Sequence, residues 1–197
     1  MAVARVVSRE HLDEPTPCAG WVVRDLLRHM AAQHRGFAAS SGGRGGEPGV
    51  WDGCDAADPV ADYLDACEVV LAAFADPGVA ERSFELPEIV VGAPFPPAVA
   101  VSFHFVDYVV HGWDLACSIG MPFQPDPDVV EAARAVAEVV PTGKAREVAG
   151  AAFAPIVEIP AGGRAFDRVL ALLGRDPAWS GLMAERQGKH NETDTPP

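Results

Sequence analysis

Clusters of basic residues are the first thing missing from this chain. Lys and Arg number 15 against 28 Asp and Glu, a formal net charge of -13, and the cations are nowhere bunched. Nucleic-acid binding through phosphate contacts needs such bunching, so the composition argues against it and favours small-molecule or protein partners. Cysteine is scarce too: Cys18, Cys54, Cys67 and Cys117 are scattered without a CxxC pair. That spacing signals neither a disulfide framework nor a Cys-rich zinc site, and it fits a reducing cytoplasm. No secretory signal is legible, because residues 1–10 set Arg5, Arg9 and Glu10 around a very short apolar run, and no export is expected. Residues 91–115 are the most apolar, yet they hold two His and two Asp and open among prolines, so they are not read as a membrane span. A soluble protein is expected. There is no HExxH, no dinucleotide fingerprint, no defensible Ser-His-Asp pattern and no internal repeat.

What is present reads as helices joined by irregular segments. At 197 residues and 49% apolar, the chain can build one ordinary core, and the reading is one domain over residues 1–180 with a polar tail over 181–197. Within that tail, residues 187–197 are expected to be disordered. Residues 2–12 predict a short helix, and Pro15-Thr16-Pro17-Cys18-Ala19-Gly20 then breaks the pattern as a fixed loop. Residues 22–39 predict an amphipathic helix from the period of Val22, Val23, Leu26, Leu27, Met30 and Phe37. It carries His29 and His34, which stand about 140° apart around the helix and so point to different surroundings.

Residues 40–55 are rich in glycine and predict a mobile surface loop; without a preceding strand or a Gly-Lys-Ser/Thr ending they are no phosphate cradle. Asp58-Pro59 is an N-cap and first-turn pair for a helix over 60–74. The proline-bearing residues 81–97 predict an irregular crossover with a brief extended piece at 89–91. A long helix is predicted over 98–119, ended by Gly120, another from Asp126-Pro127 to about 139, a loop over 150–163, and a last short helix over 166–173 closed by Gly174.

The long helix over 98–119 carries the chemistry. At about 100° per residue, His104, Asp107 and His111 fall within an arc of roughly 60° and share one face. Two imidazoles and a carboxylate in an apolar segment are costly unless compensated, and a divalent cation compensates them most directly. The alternative is a set of buried side chains hydrogen-bonded to one another and to backbone. Asp107 and His111, at i and i+4, can reach one ion, and a third ligand is expected from a neighbouring antiparallel helix. His29 is the candidate there and His34 the second choice. His104, one turn back, is either a fourth ligand or a group that orients Asp107. With a divalent ion such a site carries a net charge of about +1, suited to an anion such as thiolate or hydroxide. Asp114 is read as a partner for the free ring nitrogen of His111, a helix cap or a solvated carboxylate. Cys18 is a thiol beside the metal or a buried structural cysteine, and Trp21 and Trp113 are core or pocket-wall aromatics.

Three segments carry a resemblance: Pro15-Thr16-Pro17-Cys18-Ala19-Gly20-Trp21-Val22-Val23-Arg24-Asp25-Leu26-Leu27-Arg28-His29, Phe103-His104-Phe105-Val106-Asp107-Tyr108-Val109-Val110-His111-Gly112-Trp113-Asp114-Leu115-Ala116 and Gly174-Arg175-Asp176-Pro177-Ala178-Trp179. They resemble actinobacterial metal-binding proteins related to the N-terminal domain of mycothiol-dependent maleylpyruvate isomerase, in the wider DinB/YfiT-like superfamily. The resemblance implies an all-α fold, a four-helix bundle with additional short helices, long crossover loops and a divalent metal held between helices. It implies His29, Asp107 and His111 as the ligands. Asp107 stands where the isomerase has Glu, a shorter arm that shifts or exposes the ion. The isomerase's additional C-terminal domain, which contributes to its active site, has no counterpart in the resemblance, and this argues against maleylpyruvate isomerisation itself.

The expected function is therefore that of a metal-dependent enzyme, a transferase or isomerase, in which the ion activates a low-molecular-weight thiol such as mycothiol toward an electrophilic substrate. Zinc is the first expectation for the ion, with nickel or iron as alternatives. Two His and one carboxylate also describe the facial triad of Fe(II) oxygenases, against which the bundle resemblance argues. The rival is a metal-binding or sensory module without turnover, its site closed by His104. A homodimer is an assembly to test. Roles for Cys18 and for the glycine-rich loop over 41–53, and the identity of the substrate, are not legible in the sequence.

Overall fold

The structure, a computed structural model, describes residues 1–147, 151–160 and 162–181; most of the expected tail, 182–197, lies outside the described residues. Among the described residues five helices form: α1 (Val23–Ser41), α2 (Pro59–Phe74), α3 (Pro97–Ser118), α4 (Pro127–Ala137) and α5 (Ala165–Leu172). No strand forms among the described residues, and extended pairing is limited to isolated bridges between Pro15 and Val22 and between Phe84 and Phe95. The fold is all-α, as expected. No helix among the described residues is long and apolar enough to cross a membrane. The chain sorts into two compact units, the first of Met1–Val7 and Arg24–His111, the second of Ser8–Val23 with the residues from Gly112 onward.

In the first unit α2 starts where the sequence predicts. The Asp58 carboxylate accepts from the backbone N–H groups of Val60 and Ala61, and Pro59, which has no N–H to satisfy, takes the first helical position. Phe37 of α1, Val70 of α2 and Ala100 of α3 bury a common core with Phe84 and Leu86, and Phe74, Phe95 and Phe103 pack against it. Each large apolar side chain so buried contributes about 1.5–3 kcal/mol. The extended piece expected at 89–91 is instead a turn, in which Ile89 and Val90 both donate to the Leu86 carbonyl. Extended pairing falls outside that turn, where Phe84 and Phe95 exchange backbone hydrogen bonds of 2.9 and 2.7 Å, because these aromatics belong to the core cluster while Val91 is 83% exposed. The glycine-rich loop is anchored by Trp51, whose indole lies against Gly36 of α1 and donates to the Gly45 carbonyl at 2.8 Å. A Cβ on Gly36 would enter that indole, which explains a glycine in mid-helix.

The second unit holds the Pro-Thr-Pro-Cys loop, which is knotted on Thr16. Its hydroxyl accepts from the Cys18 N–H at 3.2 Å and donates to the Trp21 carbonyl at 3.0 Å, while Thr16 and Trp21 also bond through the backbone. The single helix expected over 2–12 is two 3-10 turns, Ala4–Val6 and Arg9–His11, interrupted at Val7 and Ser8, both extended. The Ser8 N–H is taken by Nδ1 of His11 rather than by a helical carbonyl. Gly120 ends α3 in the left-handed region at φ 68°, with Met121 bonding back to the Ala116 carbonyl. Asp126 precedes α4 in extended conformation without a side-chain cap bond. Ala133 and Ala137 of α4 and Val169 and Leu170 of α5 are buried. Arg146, 6% exposed, reaches three carbonyls from separate segments, those of Pro141, Ala154 and Leu172.

Candidate metal centre

Helix α1 presents His29 and His34 and α3 presents His104, Asp107 and His111, all within the first unit. His29, Asp107 and His111 each offer one donor atom, and these atoms lie within 4.8 Å of one another. The His111 ring nitrogen Nε2 stands 3.3 Å from Oδ1 of Asp107, the two residues being one turn apart. The His29 and His111 rings meet edge to face with centroids 5.0 Å apart. His111 is buried, and Asp107 keeps 24% of its side-chain surface exposed. Burial pushes the Asp107 carboxyl upward, but His111, by charge and hydrogen bond, and then His29 and His104 outweigh it and hold the group at about 2. Asp107 is thus a carboxylate at neutral pH.

Two imidazoles and a carboxylate converging this closely are a donor set that could hold a divalent metal ion. His34 and His104 form a separate pair. Nδ1 of His34 lies 2.9 Å from Nε2 of His104, and Phe37, Phe74, Tyr63 and Tyr108 surround the two rings. Burial, then the neighbouring His104, lowers His34 to about 3, and burial lowers His104 as well. Nε2 of His34 is buried without a hydrogen-bond partner. Both rings are therefore neutral at pH 7. The five-residue separation of His29 and His34 does place them in different surroundings, as their angle around the helix predicts.

In the second unit the structure corrects the reading of Asp114 as a solvated carboxylate. Asp114 is fully buried and takes the Arg175 guanidinium at 3.1–3.3 Å, because a carboxylate without solvent needs a charged, hydrogen-bonding partner. Cys18 joins them, with Sγ 3.3 Å from Oδ2 of Asp114 and 3.4 Å from Nη2 of Arg175. Trp113 is buried and Trp21 half-buried. Two of these associations escape sequence reasoning: His34 with His104, and Arg175 with Asp114 and Cys18. The available signal for Arg175 was its place in the Gly174-to-Trp179 segment.

Comparison with known proteins follows the same lines. Two uncharacterized proteins of Mycobacterium tuberculosis, from strains CDC 1551 / Oshkosh and ATCC 25618 / H37Rv, are each similar to this chain, with 28% identity over 169 residues covering 86% of this chain and 87% of theirs. No solved structure matches it. The family described as the mycothiol maleylpyruvate isomerase N-terminal domain matches residues 1–116, a segment that includes His29, His104, Asp107 and His111. With more than half of its length matched, the chain belongs to the mycothiol maleylpyruvate isomerase N-terminal domain family.

Proposed function

We propose that the protein is a metal-dependent enzyme of thiol chemistry, in which His29, Asp107 and His111 hold a divalent ion and mycothiol or a similar small thiol is the cosubstrate for transfer or isomerisation. The observation that carries the reading is the convergence of those three donors within 4.8 Å. Membership in a family named for a mycothiol-dependent isomerase points to the thiol. A divalent ion at these donors supplies Lewis acidity, which makes the thiolate, the nucleophilic form of a thiol, available at neutral pH.

The protein's own residues have distinct tasks in this reading. His29 and His111 bind as neutral imidazoles, so that Asp107 alone offsets the charge and the site stays attractive to an anion. Asp107, held ionised, brings Oδ1 to 3.3 Å from Nε2 of His111, a spacing that suits two donors sharing one ion. His104 is engaged by His34, which supports a centre of three protein ligands over the closed, non-catalytic site in which His104 is a fourth. Calorimetric titration of the zinc-loaded protein with mycothiol tests the proposal. Binding accompanied by proton release is expected, and a fully loaded protein that binds no thiol would refute it.

A further inference from the structure

In the first unit, the segment over 85–88 runs along one edge of α1. Oγ of Ser40, a buried hydroxyl, donates to the Glu85 carbonyl at 2.9 Å, and Nε2 of Gln33, also buried, donates to Oε2 of Glu88 at 2.7 Å. Ser40 and Gln33 stand about 10 Å apart along the axis, and at about 100° per residue both fall within roughly 40° of His29 around it. The segment therefore follows the His29 edge toward the start of α1 and reaches Glu88 one helical turn, about 6 Å, short of His29.

There the chain turns back. Ile89 and Val90 both donate to the Leu86 carbonyl, and the bridge between Phe84 and Phe95 ties both ends of the excursion to the apolar core. With its ends fixed there and Glu88 held by Gln33, the turn over 87–91 leaves Ile89, Val90 and Val91 exposed in a row. Single exposed aliphatic residues are ordinary, but a contiguous group beside a cluster of polar donors marks a binding surface. Small-molecule sites pair a few polar groups that fix orientation with apolar walls, and His29, Asp107 and His111 are such polar groups.

We infer that the turn over 87–91 is an apolar wall at the entrance to the centre of His29, Asp107 and His111, held in place by the Gln33–Glu88 hydrogen bond, and that it receives an aryl or alkyl group of the electrophilic substrate. The inference rests on the metal reading above and adds the class of electrophile: one with an apolar group next to its reacting atom. Gln33 is a positioning residue, acting through Glu88 to set where the wall stands. Binding at the wall orients the electrophile without taking part in the chemistry.

Titration of the zinc-loaded protein with acetohydroxamic acid and with benzohydroxamic acid tests it, since both bind zinc through the same hydroxamate group and differ in carrying a methyl or a phenyl. The wild-type protein is expected to bind the phenyl compound at least about tenfold more tightly. The double variant Ile89→Ser with Val91→Ser, at exposed positions, and Gln33→Leu, which releases Glu88, should each shrink that ratio toward one while bound zinc stays stoichiometric. A wild-type ratio near one, a ratio that either variant leaves unchanged, or binding of neither hydroxamate overturns the inference. If the ratios behave as expected and mycothiol does not bind, the thiol reading fails and the wall stands.

Discussion

His34 and His104 are two neutral imidazoles locked together inside the first unit, and acid should work against them. In the folded protein His34 is lowered from its ordinary 6.5 to about 3 by burial and by His104, with Asp107 opposing and Arg35 adding to the shift. Between those values the unfolded chain binds a proton that the folded one does not, so stability is complete above pH 6.5 and falls as the pH drops toward 3. The slope is about 1.4 kcal/mol per pH unit for each such imidazole. Urea unfolding of the metal-free protein at pH 7, 6 and 5 checks this. His34→Phe, which also removes the unsatisfied Nε2, should make the acid slope shallower, and parallel slopes would show that another group controls it.

At the level of elements, α1 has its least expected residue in Gly36. Helix propensity alone would have Gly→Ala stabilise an exposed helix by about 1 kcal/mol. Here the added Cβ would enter the Trp51 indole, and overpacking costs about 1–3 kcal/mol. Gly36→Ala is therefore predicted to destabilise by about 1 kcal/mol, read as a lower urea midpoint. Gly36→Ala with Trp51→Leu should recover most of that loss. The Asp107–His111 pair is legible in the sequence because both residues lie on one helix, where spacing alone places them on one face. His29 is legible from its apolar neighbours and from the resemblance. The His34–His104 and Asp114–Arg175 pairs are not, since their partners lie 70 and 61 residues apart and nothing local marks them. The Phe84–Phe95 bridge is hidden for a related reason: prolines between 87 and 97 point to irregular chain, and only the packing of buried Phe84 and partly buried Phe95 in one apolar cluster brings the two segments together.

For the whole molecule, the proposed centre adds stability without being required for folding. The cores of both units are apolar, and the three donors sit at one place within the first. Metal at a hundredfold excess over its dissociation constant stabilises by about 2.7 kcal/mol. Chelation should lower the thermal midpoint by several degrees and leave the helical circular dichroism spectrum of the folded protein intact at 25 °C. Loss of the helical signal on chelation would favour the closed structural site instead. Elemental analysis of the purified wild-type protein and of His111→Ala, each loaded with zinc and desalted, measures the assignment of the centre itself. A stoichiometric ion in the wild type and only traces in His111→Ala is the predicted result; full occupancy in the variant would contradict it.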